Sequence, residues 1–545
     1  MAVQERSTDV VVVGAGPAGL AAAIAAHDAG ATVLLVEASE TVGGTAAWSG
    51  GAAWVPGNRH ELAAGAEDSP EKALTYMRAC SGGSGDEALY AAYLEAGPKV
   101  IDYLERSTPL ALTPGTMPDY QAGLEGGMST LGQSRSVAPD VFDLNRLGSD
   151  RTLLRRSPHG TMPYSFPDFE ALGIAIHPER MDMADYARRL EQGLVGWGEA
   201  LAAGLFAGVR ERGIAVLVNT RARHLLGDGR IDGVECETER CTLRIIARCG
   251  VVLACGGFEW NAEEMKAQFA APILPATVPS NRGDGLAMAR EAGAALGNLD
   301  ALWGWPSYII PGEEQPDGNP LVRTSLIERL LPHLICVNGK GERFVDETIS
   351  YHRILKEMVR RGLDGGFLNL PAWHIFDGQF RACYAFGPVM PGSPDPDWLK
   401  GYSTLAALAE AIGVPAGRLA RTVAEYNEAV ARGHDDGVGR GGGGYAAFFG
   451  DRDNQPSPNM GTIAEAPFYA VEMIPATIGT CGGPLFDRDA RVLDETGTPI
   501  AGLFAAGNVT AAFSGPSYFG PGGTLGPALI FGVIAGRSAA AAGER

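Results

Sequence analysis

Residues 9–39, DVVVVGAGPAGLAAAIAAHDAGATVLLVEAS, decide the fold. Val10–Val13 is a short apolar run, suited to a parallel strand buried on both faces. Gly14, Gly16 and Gly19 follow in GxGxxG spacing, with Ala18 inside the motif. An Ala-rich helix comes next, and Gly30 is placed to cap its C-terminus. Thr32–Val36 reads as a second buried strand with Glu37 at its end. This is a β-α-β unit with a physical role for each part. Gly14 permits the tight turn, Gly16 lets backbone approach a pyrophosphate, and Gly19 lets helix and strand pack closely. The helix N-terminus offers free N–H groups to phosphate, and Glu37 can accept hydrogen bonds from ribose hydroxyls. An α/β chain with a dinucleotide site is expected.

Working outward, ETVGGTAAWSGGAAWVP (40–56) places a second glycine-rich loop directly after Glu37. Gly43, Gly44, Thr45, Ser49, Gly50 and Gly51 lie in it, as suits a dinucleotide that continues into a flavin. Far downstream, TPIAGLFAAGNVTAAF (498–513) reads as strand, turn and glycine, with Gly507 and Asn508 able to approach the same ligand. Here the chain resembles the fumarate reductase and 3-ketosteroid dehydrogenase flavoprotein superfamily. The resemblance implies FAD as cofactor. It implies a Rossmann-type, glutathione-reductase-like FAD-binding domain with an inserted α+β catalytic cap. In RIIARCGVVLACGGFEWN (244–261) the strand Val251–Ala254 and Gly256–Gly257 return the chain to the FAD domain. In NRGDGLAMAREAGAALGNLD (281–300) the resemblance places Asp284 near the cofactor. The expected division is 1–276 and 473–545 for the FAD domain, with 277–472 as the cap.

The bulk numbers agree with a large globular enzyme. At 545 residues the chain exceeds one core, since cores stop growing near roughly 250–300 residues. Hydrophobic residues at 46% and charged residues at 20% fit a folded protein. A net charge of −20 argues against nucleic acid or anionic membrane as partner, because both reward clustered Lys and Arg. No apolar run of about 18 residues marks a membrane span, and MAVQERSTDV has no secretory h-region. The eight cysteines form no CxxC pair, which suits reduced, packed thiols in a cytoplasm. The nine histidines show no metal-binding spacing, so no metal is expected.

The chemistry rests on GPSYFGPGGTLGP (515–527), which crowds Gly and Pro round Tyr518. Fumarate-type reductases carry His and Arg in the matching loop; here Pro516 and Gly520 stand there. TIGTCGGPLF (477–486) likewise offers Thr480 and Cys481 rather than His. A dicarboxylate would find little charge. The loop is instead similar to that of the 3-ketosteroid Δ1-dehydrogenases. Thr524 and Leu525 follow Gly523 in it, beside the flavin. The resemblance implies that the Tyr518 hydroxyl and the Gly522 N–H hold a ketone oxygen, as an oxyanion hole. It implies Tyr351, at the end of FVDETISY (344–351), as base, with Asp346 and Ser350 departing from the family pattern. It implies Tyr120, in PDYQAGLEGG (118–127), as the supporting phenol. Taken singly, each tyrosine also suits a half-buried core position.

The resulting expectation is desaturation α,β to a ketone, with Tyr351 removing the α-proton and hydride passing to FAD. The substrate implied is a 3-ketosteroid, desaturated between carbons 1 and 2, and an external acceptor takes the electrons. A flavin-dependent enone reductase, a desaturase of another cyclic ketone and a non-catalytic electron-transfer flavoprotein stay open. Two stretches have no assigned role. GVGRGGGGYAAFFG (437–450) reads as a flexible lid or a linker, and residues 147–182 carry several Pro and aromatic residues without a functional account.

Overall fold

The computed structural model describes residues 3–315 and 317–543. Strand β1 (Val3–Val13) is longer than the apolar run that announces it. Its exposed first half pairs with Thr242–Ala247, and Val10–Val13 is buried between two parallel neighbours. On one side Val10–Val13 runs against β2 (Val33–Val36); on the other it faces Gly250–Leu253. Helix α1 (Pro17–Asp28) joins β1 to β2, and Gly30 follows it with φ of 95°. The sheet has eight strands in the order Arg491–Leu493, Pro499–Ala505, Thr242–Leu253, β1, β2 and Ala215–Leu217, with Gly233–Glu237 also attached to Thr242–Leu253 and Arg221–Leu226 attached to Gly233–Glu237. The distant segment 498–513 thus returns as expected, and Val251–Leu253 pairs parallel with Leu503–Ala505.

The C-terminal helix, Leu525–Ala541, lies against α1 through small residues spaced one turn apart. A Cβ at Gly532 would stand 2.5 Å from the Ala18 carbonyl oxygen, and one at Gly536 would stand 2.2 Å from that of Ala22. No side chain fits there. The close approach lets the last helix set its own N-terminus, and hence the 515–524 loop, against the glycine motif.

A second sheet carries the rest of the site. Its strands run in the order Pro320–Thr324, Leu302–Glu314, Tyr469–Thr480, Ala372–Phe376 and Leu334–Asn338, with Leu274–Pro275 added to Tyr469–Thr480. The four ladders between these five strands are antiparallel. The expected boundary at 472/473 falls inside the continuous strand Tyr469–Thr480. The turn at Asn338–Gly341 forms, but its return is a single bridge between Val337 and Arg343. Helix Ala416–Arg432 turns Leu419, Val423, Tyr426 and Val430 into a core and has no other evident task.

Two stretches without an assigned role find their places here. Residues 437–450 are neither a free lid nor a linker. Arg440 is fully enclosed, donating to the Glu347 carboxylate at 3.0 Å and to the carbonyls of Leu331 and Asn459. Helix Gly444–Phe449 then delivers Tyr445 and Phe449 into an aromatic cluster. The 147–182 segment folds into short helices, Phe166–Ala171 and Pro178–Arg180 among them, that wall a large cavity. No disulfide links the described residues. Among them, no helix is long and apolar enough to cross a membrane.

The helix contact yields a test. Gly536→Val overfills a position where backbone meets backbone, so it should destabilise the protein by at least the roughly 1–3 kcal/mol typical of overpacking. A lower thermal midpoint, together with weaker FAD retention, is the expected result; an unchanged midpoint would refute the packing argument.

Candidate active site

One cavity of about 810 Å³ runs between the two sheets. At one end it is lined by the glycine motif and Glu37, at the other by Tyr120, Tyr351 and Tyr518. The first end suits the phosphates and ribose of FAD. Gly16 precedes α1 without a side-chain cap, and the first turn carries no acid, so the helix N–H groups stay available to an anion. A Cβ on Gly16 would meet nothing within 4 Å, so the glycine opens onto the space a pyrophosphate needs. Gly14 has φ of 105°, and a Cβ there would collide with the Ala254 carbonyl. The Glu37 carboxylate accepts from the Ala15 N–H at 2.8 Å and from Ser39 at 2.9 Å, which fixes it at the cavity wall.

Of the expected cofactor-facing residues, Gly14, Gly16, Ala18, Glu37, Gly44, Thr45, Ser49, Gly50, Gly51, Asp284, Gly507, Asn508, Thr524 and Leu525 line the cavity. Gly19, Gly43 and Gly523 are not among its lining residues. A Cβ on Gly19 would run into Gly14, while Gly43 donates to the Ala15 carbonyl at 2.8 Å. Gly523 donates to the Gly520 carbonyl at 2.9 Å, and a Cβ there would press on the Tyr518 ring. Asp284 pairs with Arg221 and, at 3.4 Å, with Arg223. Burial raises its pKa, and the two arginines oppose that.

At the other end three phenols meet, drawn from residues far apart in sequence. The Tyr120 and Tyr351 hydroxyls share a hydrogen bond of 2.6 Å. The Tyr518 ring stands edge-on to both, with centroids 5.1 Å from Tyr120 and 5.7 Å from Tyr351. Trp305 lies flat on Tyr351 at 3.7 Å and so limits the ring's rotation. All three phenols are buried, and burial pushes their pKa values up, well above 10 for Tyr120 and Tyr351. They are neutral at neutral pH.

The loop that carries Tyr518 is held by its carbonyls. The Ser517 oxygen accepts from Trp303 Nε1 at 3.2 Å and from Ser514 at 3.0 Å. The Phe519 oxygen accepts from the Tyr76 hydroxyl at 2.5 Å and the Tyr120 N–H at 3.0 Å. The Pro521 oxygen accepts from Ser136 at 2.5 Å, and the Gly522 oxygen from the Trp54 N–H at 3.1 Å. The Gly522 N–H has no acceptor among the described residues, and Gly522 lines the cavity. It must be glycine because φ is 82° and a Cβ would stand 2.2 Å from the Ala52 carbonyl. The reason is therefore backbone crowding. Gly520 is equally constrained, since a Cβ there would meet the Trp54 indole at 2.6 Å, so this loop has no room for an arginine.

Three features escape sequence reading. Arg329 is fully buried; it donates to the carbonyls of Glu347 and Ile349 and to the Tyr445 hydroxyl at 3.3 Å. Its charge pulls the pKa of Tyr120 and Tyr445 downward against burial. Tyr445 sits edge-on to Tyr120 at 5.5 Å. The aromatic run after four glycines was its one visible sign. The cavity wall formed by 157–180 gave no sign beyond its aromatics. His177 there, with Asp451 and Asp453, brings ligand atoms within 4.8 Å of one another. Asp451 already accepts from Tyr384 at 2.7 Å, and Asp453 pairs with Arg180 at 3.9 Å.

The FAD binding domain family matches residues 9–525. A 3-oxosteroid 1-dehydrogenase of Mycolicibacterium smegmatis is 36% identical over 567 residues, covering 98% of this chain and 97% of that protein. A 4-oxocyclohexanecarboxylate 2-dehydrogenase of Sinomonas cyclohexanicum is also 36% identical, covering 98% and 93%. The crystal structure of 3-ketosteroid Δ1-dehydrogenase from Sterolibacterium denitrificans, in complex with 1,4-androstadiene-3,17-dione, superimposes with a TM-score of 0.91 at 36% identity, covering 98% of this chain and all of that one. With likeness of this extent running through the glycine motif and the tyrosine loop alike, the chain belongs to the FAD-dependent 3-oxosteroid 1-dehydrogenase family.

Proposed function

We propose that the protein desaturates a polycyclic 3-ketone, a 3-ketosteroid, between the carbons α and β to the carbonyl. The observation that carries this reading is the meeting of the Tyr120–Tyr351 hydroxyl pair, Tyr518 and the unpartnered Gly522 N–H at one end of the cavity. FAD, when bound along the same cavity, supplies the two-electron acceptor.

The residues divide the work as follows. The Tyr518 hydroxyl and the Gly522 N–H donate to the ketone oxygen. As the α-proton leaves, that oxygen gains charge, and two fixed donors in a water-poor pocket stabilise it. Tyr351 takes the α-proton on its phenol oxygen. Tyr120 shares hydrogen bonding with that oxygen, and Arg329 lends positive potential behind the pair. The electron pair of the β C–H bond leaves as hydride, and the C=C bond forms. Electrons pass on to an external acceptor.

The cavity lining favours an apolar ring system over a small ketoacid. Near the phenols it presents Met117, Trp305, Leu326, Phe448, Phe449 and Ile478. The basic residues that line it, His159, His177, Arg180 and Arg452, belong to the 157–180 wall and the 450–453 turn. Arg329 does not line it. A carboxylate one ring away from the ketone would therefore lie among apolar side chains, which is unfavourable by several kcal/mol for an unpaired charge.

Anaerobic mixing of the FAD-loaded protein with 3-ketosteroids should bleach the flavin, and 4-oxocyclohexanecarboxylate should do so far less well. Bleaching by the small ketoacid alone would overturn the substrate assignment. Tyr518→Phe should slow bleaching by about 10²–10³-fold, the effect of losing one oxyanion donor, with FAD retained. Tyr351→Phe should slow it by about 10²–10⁴-fold, as for loss of a general base.

The pH dependence has a definite sign. Tyr351 must shed its own proton before it can accept one, and its pKa is raised above 10. The bleaching rate should therefore climb with pH, by about tenfold per unit at the limit, through the range below that pKa. The climb should vanish in Tyr351→Phe. A wild-type rate flat from pH 7 to 10 in stopped-flow measurements would exclude the Tyr351 phenolate as base.

A further inference from the structure

We propose that His352 is the positioning residue that sets the distance between the base and the ketone-binding loop. This role deepens the reading above and rests on it.

The argument begins with the tautomer. His352 follows Tyr351 directly in the helix Tyr351–Met358 and is buried. The Gly304 N–H donates to its Nδ1 at 3.3 Å. A backbone amide can only donate, so Nδ1 carries no proton. Nε2 therefore carries it, and Nε2 lies 2.9 Å from the Pro516 carbonyl oxygen, which can only accept. The neutral ring satisfies both contacts at once. A second proton would face an N–H group, and burial already pushes the imidazole pKa down to about 3. The bridge thus stays neutral throughout the working range of an enzyme.

What the bridge joins is the point. Gly304 lies in strand Leu302–Glu314, between Trp303, which donates to the Ser517 carbonyl at 3.2 Å, and Trp305, which stacks on Tyr351. Pro516 lies two residues before Tyr518. One imidazole therefore ties together the strand that orients the base, the helix that carries the base, and the loop that carries the oxyanion donors. Lys356, one turn further along the same helix, donates to the same Pro516 oxygen at 3.0 Å. The His352 ring also stands edge-on to the Tyr518 ring, with centroids 6.1 Å apart. No part of His352 is among the residues lining the cavity, so it acts through the loop and not on a ligand.

Two substitutions separate the contacts. His352→Gln can place an amide N–H near the position of Nε2–H and so keep the bond to Pro516. His352→Asn keeps an acceptor for the Gly304 N–H but falls short of Pro516. In FAD-loaded protein, His352→Asn should lower the limiting rate of flavin bleaching by about 10–100-fold, as a misplacement of about 1 Å does. Its FAD content should not change. The same variant should speed hydrogen–deuterium exchange in peptides spanning 515–524. His352→Gln should stay within about threefold of the parent. Combined with Tyr518→Phe, His352→Asn should add little, because both act through one donor set.

Parent-like rates and exchange in His352→Asn would overturn the proposal. So would losses that simply multiply in the double variant. Faster loop exchange in His352→Asn, in a protein whose parent form no ketone bleaches, would uphold the clamp while refuting the proposed function.

Discussion

The site depends on a loop whose carbonyls are occupied and whose key amide is not. Between 516 and 522 the oxygens of residues 516, 517, 519, 521 and 522 accept from elsewhere in the fold, and that of Gly520 accepts from Gly523. Backbone polar groups buried away from water need partners, so this pinning accounts for one half of the peptide groups. The Gly522 N–H remains without an acceptor among the described residues, and Gly522 lines the cavity. A loop of Gly and Pro has few side chains of its own to anchor it. Its order comes from the donors brought to it: Trp54, Tyr76, Tyr120, Ser136, His352 and Trp303. These arise from four widely separated stretches of the chain, so the geometry at Tyr518 is a property of the whole fold.

A second layer of charge supports the first. Arg135 is fully buried and binds Asp68 at 2.6 and 2.9 Å and Asp119 at 2.6 Å. Asp119 also accepts from Trp54 Nε1 at 2.7 Å and from the Met128 N–H at 2.9 Å, which fixes the backbone immediately before Tyr120. Burial raises the pKa of Asp119 while Arg135 and these donors oppose it. Such pairs contribute little net stability when intact, but removing one partner strands a buried charge. Here the gain is positional: Asp119 holds Trp54, and Trp54 in turn donates its N–H to Gly522.

The nucleotide half of the molecule was legible because its chemistry is local. Three glycines, two apolar strands and one acid lie within 31 residues, and each has a steric or electrostatic duty that its neighbours confirm. The tyrosine triad was legible only through family likeness, since nothing in the spacing of residues 120, 351 and 518 says that they meet. Arg329 and His352 were not legible at all, and Tyr445 only as an aromatic after a glycine run. Arg329 donates mainly to main-chain carbonyls and His352 bridges a main-chain N–H and a carbonyl, and no residue type signals a main-chain group waiting for a partner. The 437–450 stretch misled because glycine runs usually mark slack chain. Arg440 and its four acceptors turn this one into a fixed support. The cavity wall at 157–180 was opaque for a similar reason, its role being conferred by what it faces.

The contrast with a dicarboxylate reductase follows from charge. An enzyme for anionic substrates can place arginines in contact with the reacting centre, because the substrate neutralises them. Around an uncharged ketone a bare cation in the cavity would carry an uncompensated desolvation penalty. Neutral donors avoid it, but they provide little field to offset burial, and burial raises the pKa of Tyr351. The structure meets this by placing the cation one layer back. Arg329 is satisfied by three main-chain carbonyls and the Tyr445 hydroxyl, so it can stay charged without a substrate. From there it acts on Tyr120, the partner that shares the 2.6 Å bond with Tyr351. A cation set behind a hydrogen-bonded neighbour leaves the part of the cavity near the phenols free of charge that an apolar ring system would have to bury.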